Sequence, residues 1–415
     1  MQAAERTTAF SPSSSEGHCP VEHAPISHKK TCLQELSGPA LECDARGIWH
    51  VRDFTLTRSI LRNGQTTQAG FNADMIARIS RLMRLPILYQ DGQIHHEQRR
   101  QTARFFAPKT VSTNYRAMME ALVERLIGKL QQDGQADFSE ITLEMAVRVA
   151  AQVIGLTDSR LPGLGKRLDA FFKAEVMSFR WRPREVWHLV NNQRRMLAFY
   201  LLDVEPAIRA RRRKASDDLI SHLIGQGYTN AEIMTECVTF AAAGMATTRE
   251  FLSVAAWHML EHPSLRARYL SAQEEERYAI LHEILRLEPV VGHIFRRSTA
   301  ELTLEYEGQQ VVIPQNAVID LNIHAANTDG AIVGEYPLQV CPARPMNGER
   351  VPAEMMSFGD GYHRCPGSYL AIQESDMLLR RLLALDGLSM KRPPNVDLNE
   401  VVAGYELSKF MLALA

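Results

Sequence analysis

The stretch from Thr229 to His262 constrains this chain more than any other. It opens on TNAE, Thr229 to Glu232, where the threonine hydroxyl and the glutamate carboxylate can each satisfy an orphan amide at a helix start, the capping-box pattern. Helical periodicity then persists until His262 and Pro263, where the residue before a proline is pushed out of the helical region. The helix so predicted has about 30 residues and, at 1.5 Å per residue, a length of about 45 Å, enough to cross a whole domain. Its middle, AAAGMATT from Ala241 to Thr248, carries almost no side-chain bulk. Either another helix approaches closely there, or a flat ligand has room.

The rest of the chain is read around that rod. Residues from about 70 to 290 are mostly helical, as in RAMMEALVERLIGKLQQDG, which repeats apolar residues at three and four and closes on Gly134. ELTLEYEGQQVVIPQNAVIDL then alternates apolar and polar residues around Gly308, predicting a small hairpin with a further strand. A connector holding Pro337, Pro342, Pro345 and Pro352 follows, then SFGDGYHRCPG (Ser357 to Gly367), then a helix from about Ser368. The expectation is a mainly α fold with a small β region.

Bulk properties remove several function classes. Lys and Arg total 47 against 48 Asp and Glu, a formal charge of -1, which gives no support to polyanion binding. No run approaches the roughly 18 apolar residues of a membrane span, and the most apolar window, Cys237 to Leu260, is interrupted by Arg249 and Glu250. Residues 1–30 lack periodicity and are expected to be a flexible tail; its His18, Cys19, His23 and His28, with Cys32 just beyond, fit no zinc template. Without an apolar signal core, the chain is expected in the cytoplasm with its six cysteines reduced. A thiolate is then chemically available.

SFGDGYHRCPG places one cysteine among three glycines, a phenylalanine and a histidine. Zinc would want a second Cys or His pair nearby, and c-type haem attachment would want C-x-x-C-H. The glycines match neither the phosphate-loop nor the dinucleotide pattern. What remains is a single thiolate on a glycine-shaped turn at a helix start, where backbone amides can hydrogen-bond the sulfur.

F-G-x-G-x-H-x-C-x-G, here Phe358 to Gly367, resembles the haem-binding loop of the cytochrome P450 family. The resemblance extends in family order from about residue 40 to the C-terminus and implies one domain, residues 31–415, with haem b (iron protoporphyrin IX) between the long central helix and the cysteine loop. It makes Cys365 the axial iron ligand, with Phe358, Gly359 and Gly367 shaping the loop. EILR resembles the family's E-x-x-R and implies an ion pair of Glu283 and Arg286, joined by Arg344 from the connector. AANTD, Ala325 to Asp329, also follows the family pattern. DGQIHHEQRR resembles the segment that supplies propionate partners, pointing to His95 and Arg99, with His363 and Arg296 as two more and Arg297 as a rival to Arg296.

Ala243 to Thr248 resemble the family's A/G-G-x-D/E-T-T signature over the distal haem face. This implies a haem-facing Gly244 and a Thr247 hydroxyl that steadies iron-bound oxygen, with Thr248 beside it; simple back-bonding to a carbonyl is the alternative reading of Thr247. The acidic position holds Ala246, which cannot relay protons. Glu250, four residues later on the same helix face, is a candidate substitute, the alternative being an ion pair with Arg249. Met355 stands where many bacterial members have a histidine.

The resemblance implies a monooxygenase that inserts one atom of dioxygen into a small organic substrate of secondary metabolism. Its partners are expected to be a ferredoxin and an NAD(P)H-dependent ferredoxin reductase, with no nucleic acid or membrane, and its state a monomer. Family topology offers Met83, Phe172, Ala243, Val291, His293 and Tyr405 as substrate contacts. Two alternatives stay open: a haem-thiolate enzyme with peroxide-driven, coupling or rearrangement chemistry, because of Ala246, and a non-catalytic haem-binding or sensing protein.

Overall fold

A computed structural model of the chain describes residues 31, 38–71, 73, 76, 84–172, 183–306, 308–342, 344–400 and 402–415, with backbone alone for 169–172 and 183–189. Met83, the side chain of Phe172 and the histidines and cysteines of the N-terminal tail lie outside the described residues.

The helices that position the site are α1 (Phe54–Arg62), α2 (Gly92–Thr102), α3 (Arg116–Asp133), α4 (Phe138–Ile154), α5 (Asn230–Glu261), α6 (Glu274–Leu287) and α7 (Ser368–Leu383). The long rod is present as α5, 32 residues. Glu232 Oε2 accepts the Thr229 amide at 2.8 Å and the Thr229 hydroxyl accepts the Glu232 amide at 3.3 Å, so both halves of the capping box are made. His262 has left helical geometry ahead of Pro263, as the proline requires. Helix α3 closes on Gly134 at φ 68°, the left-handed C-cap that glycine permits.

The small-residue stretch presents two different sides of α5. A Cβ added to Gly244 would lie 3.5 Å from the Cβ of Ala150 on α4, so this glycine sits where the two helices approach. Ala243, one residue earlier, is exposed in the middle of a helix whose following turns are buried.

The β region is larger than the hairpin. Strands β1 (Leu41–Cys43), β2 (Ile48–Val51), β3 (Thr66–Gln68), β5 (His293–Ser298) and β8 (Val318–Asn322) form a sheet in the order β1-β2-β8-β5-β3. The predicted hairpin is β6 (Leu302–Tyr306) and β7 (Gln309–Ile313), turning at Gly308 with φ 73°. Elsewhere β4 (Gln135–Asp137), β9 (Leu388–Arg392) and β12 (Met411–Leu414) pair together, as do β10 (Asn395–Asn399) and β11 (Gly404–Ser408). One apolar core surrounds α5. A second joins the five-stranded sheet to α1 and contains Met355, fully buried. Among the described residues no helix is long and apolar enough to cross a membrane.

Candidate active site

The cysteine loop is closed by its own backbone and docked on α1. The Cys365 amide donates to the Phe358 carbonyl at 2.8 Å. Gly359 and Gly361 have φ 67° and 64°, in the left-handed region. A Cβ on Gly361 would collide with the Leu61 carbonyl, so the loop can approach the end of α1 only with glycine there. Asp360 anchors the same contact, accepting from Arg58 Nε at 3.2 Å and Arg62 Nε at 3.0 Å.

Burial pushes the Cys365 thiol up; the Gly367 amide and the charges of Arg99 and Arg364 act in the opposite direction. Arg99 comes from α2 and donates to the Arg364 carbonyl. A Cβ on Gly367 would sit 4.0 Å from the cysteine sulfur and 3.9 Å from the Phe106 ring. The half-buried sulfur therefore lies with positive charge near it, which suits a thiolate bound to a metal.

The expected propionate partners converge. His95 is buried on α2 and stacks on His363, with ring centroids 4.1 Å apart. Alternation along β5 turns Arg296 inward, where it meets Thr66 O at 2.7 Å, Gln68 Oε1 at 3.2 Å and Asp91 Oδ1 at 3.5 Å. Arg297 points the other way and reaches Asn316 O, which decides between the two arginines. Asp91 also meets His363 Nε2 at 2.9 Å. Its side chain therefore bridges Arg296 and His363 instead of capping an amide of α2. Two guanidinium groups and two imidazoles share this cluster with one bridging carboxylate, and the buried Nδ1 of His95 has no hydrogen-bond partner. That surplus of donors fits a group carrying two further carboxylates, as haem does.

A buried polar network supports the loop from behind. Arg286, fully buried, forms two bonds to Glu283 at 2.7 and 2.8 Å, and Arg344 adds a third at 3.3 Å. Arg344 also takes the carbonyls of Val333, Glu335, Tyr336 and Gln339. Asn327, from AANTD, accepts the Met356 amide at 2.8 Å and donates to Ser357 Oγ at 2.8 Å, immediately before Phe358.

On α5 the Thr247 hydroxyl donates to Ala243 O at 2.6 Å, the back-bonding geometry, which leaves its lone pairs able to accept. Both carboxylate oxygens of Glu250 are committed, Oε1 to Arg249 and Oε2 to the Leu407 amide at 2.6 Å. The acid is thus tied to Arg249 and to the backbone of β11. The acid that the sequence reading missed is Glu374 on α7. It is buried, the Thr248 hydroxyl is near enough to oppose the effect of that burial on its carboxyl, and its Oε2 has no hydrogen-bond partner. Burial pushes its carboxyl well above the usual range.

The suggested substrate contacts separate. Ala243 faces open space. Val291 bridges to Gly404, where any Cβ would collide with the Val290 carbonyl. Tyr405 is buried with its hydroxyl on Glu288 O at 3.1 Å. His293 lies on the face of β5 opposite Arg296, its Nδ1 held by Asp320, which in turn holds His50 at 2.8 Å.

Comparison with known proteins agrees with this geometry. The family profile "Cytochrome P450" matches residues 278–398. The chain is 25% identical to cytochrome P450-SOY of Streptomyces griseus over 91% of this chain and 87% of that protein. It is 24% identical to erythromycin C-12 hydroxylase of Saccharopolyspora erythraea, over 83% of each. The crystal structure of CalO2 superposes with a TM-score of 0.74 at 21% identity, covering 91% of this chain and 93% of that one.

Proposed function

The chain belongs to the cytochrome P450 family of haem-thiolate monooxygenases, and we propose that it oxidises a small organic molecule of bacterial secondary metabolism with electrons from a separate ferredoxin and NAD(P)H-dependent reductase. The single observation that carries this reading is the glycine-shaped Cys365 loop, flanked by four donor side chains. Haem b is the cofactor the family uses; bound here, it supplies dioxygen binding and reductive activation. Cys365 would ligate its iron, and Arg99, Arg296, His95 and His363 would hold its propionates.

This chain's own residues divide the remaining work. Ala243 leaves room for substrate beside α5. Thr247, with its own proton directed to Ala243 O, offers lone pairs that accept a hydrogen bond in the distal space. Ala246 holds no proton. The buried carboxyl of Glu374, near Thr248, is the acid that this chain offers in its place.

Ala246 also favours a second reading, in which peroxide replaces the electron-transfer partners and the proton relay matters less. Turnover assays on a substrate found by spectral screening separate the two. Product formed with a ferredoxin, its reductase and NADPH supports monooxygenation; product formed only with hydrogen peroxide supports the second reading; neither product nor oxygen consumption under both conditions contradicts catalysis.

A further inference from the structure

Glu236 lies on α5 seven residues before Ala243, about 10 Å along the helix axis. At 3.6 residues per turn, Glu236, Ala243 and Thr247 share one face. The residue is 2% exposed. Its Oε1 accepts from the Ile87 amide at 3.1 Å and from Gln98 Nε2 at 2.8 Å. Its Oε2 is buried without a hydrogen-bond partner, and so is the Oε1 of Gln98.

Buried polar atoms are normally paired, and two adjacent acceptors without donors mark a place made for a donor. Among the described residues the surrounding charges do not supply it. Glu232 and Tyr228 lie toward the start of α5, and Cys237 is adjacent. Arg84 is directed elsewhere, with its guanidinium 4.6 Å from the centre of the Tyr228 ring and its Nε 3.8 Å from Glu232. Arg99, next to Gln98, donates to Arg364 O. Without a cation, burial pushes the Glu236 carboxyl up to about 7.

We propose that Glu236 and Gln98 anchor an ammonium group of the substrate, so that the carbon to be oxidised lies about 10 Å from that ammonium, beside Ala243 and Thr247. An ammonium fits because it is a donor without acceptors and brings the charge that the buried carboxylate lacks. This inference rests on the monooxygenase reading above and adds a substrate class to it. Affinity for the amine should rise as pH increases through about 7, because the carboxyl must first release its proton, and fall again once the amine deprotonates.

The test is isothermal calorimetry on the haem-loaded enzyme with decylamine and with 1-decanol, which has the same chain and no charge. Wild type is expected to bind the amine at least tenfold more tightly at pH 8, with a smaller preference at pH 6. Glu236→Gln, isosteric and uncharged, is expected to lose the preference while keeping its haem. Equal affinities in wild type, a preference insensitive to pH, or a preference that survives in Glu236→Gln through direct nitrogen ligation of iron would each overturn the anchor. The reduced carbon monoxide spectrum of the same sample keeps the two readings apart. A normal thiolate band without amine preference removes only the anchor, and an absent band removes the haem-thiolate reading beneath it.

Discussion

The imidazoles of His95 and His363 lie face to face, with centroids 4.1 Å apart and planes 17° from parallel. Burial, followed by the charges of His363 and Arg99, pushes His95 down to about 3, so it serves the site as a neutral ring. An unfolded histidine takes up its proton near pH 6.5, at about the ordinary value. Between roughly pH 6.5 and 3 the unfolded state therefore binds the extra proton, and stability falls as pH falls. Urea unfolding of the purified protein is expected to show a midpoint that drops across this window, with a flatter profile in His95→Phe. An unchanged slope would assign the acid sensitivity elsewhere.

Gly361→Ala is expected to undock the cysteine loop. The added methyl meets the Leu61 carbonyl, and φ 64° is itself unfavourable for alanine. The loss should exceed about 1 kcal/mol, the usual scale of a compatible glycine replacement, and should appear as a lower ratio of haem absorbance to protein. Gly359→Ala shares the positive φ but meets nothing nearer than 3.9 Å, so it should cost less. Equal losses in the two variants would locate the effect in backbone strain alone.

Removing Glu283 leaves Arg286 buried without its carboxylate partner. Loss of one member of a buried pair costs about 3–5 kcal/mol. Glu283→Ala is therefore expected to fold poorly or to unfold at much lower urea, whereas exposed pairs such as Arg100 with Glu97 should change little on removal.

Proton handling on the oxygen side is expected to separate three variants by the ratio of product formed to NADPH consumed. Thr247→Ala and Glu374→Gln should lower it and raise hydrogen peroxide. Glu250→Gln should instead lower thermal stability, because Glu250 ties α5 to Arg249 and the β11 backbone. Loss of coupling in Glu250→Gln with none in Glu374→Gln would return the relay to Glu250.

What was legible in the sequence was local. The capping box, the proline stop and the glycines of the cysteine loop act within a few residues, so the order of letters carries them. The donors His95, Arg99, Arg296 and His363 became legible through the family resemblance, and the strand alternation of β5 then separated Arg296 from Arg297. Contacts between distant segments left no such trace. Asp91 joining β5 to the cysteine loop, Gly361 against Leu61, and Glu374 beside Thr248 each depend on packing between elements far apart in the chain. The same holds for Glu250, since helical spacing gives its distance from Ala246 but not the β11 amide that donates to it.

The most direct measurement is the carbon monoxide difference spectrum of the reduced, haem-loaded protein. Wild type is expected to show the strongly red-shifted Soret band of thiolate ligation, and Cys365→His should retain haem without that band. A wild-type spectrum lacking the band, or a band that persists in Cys365→His, would contradict Cys365 as the iron ligand.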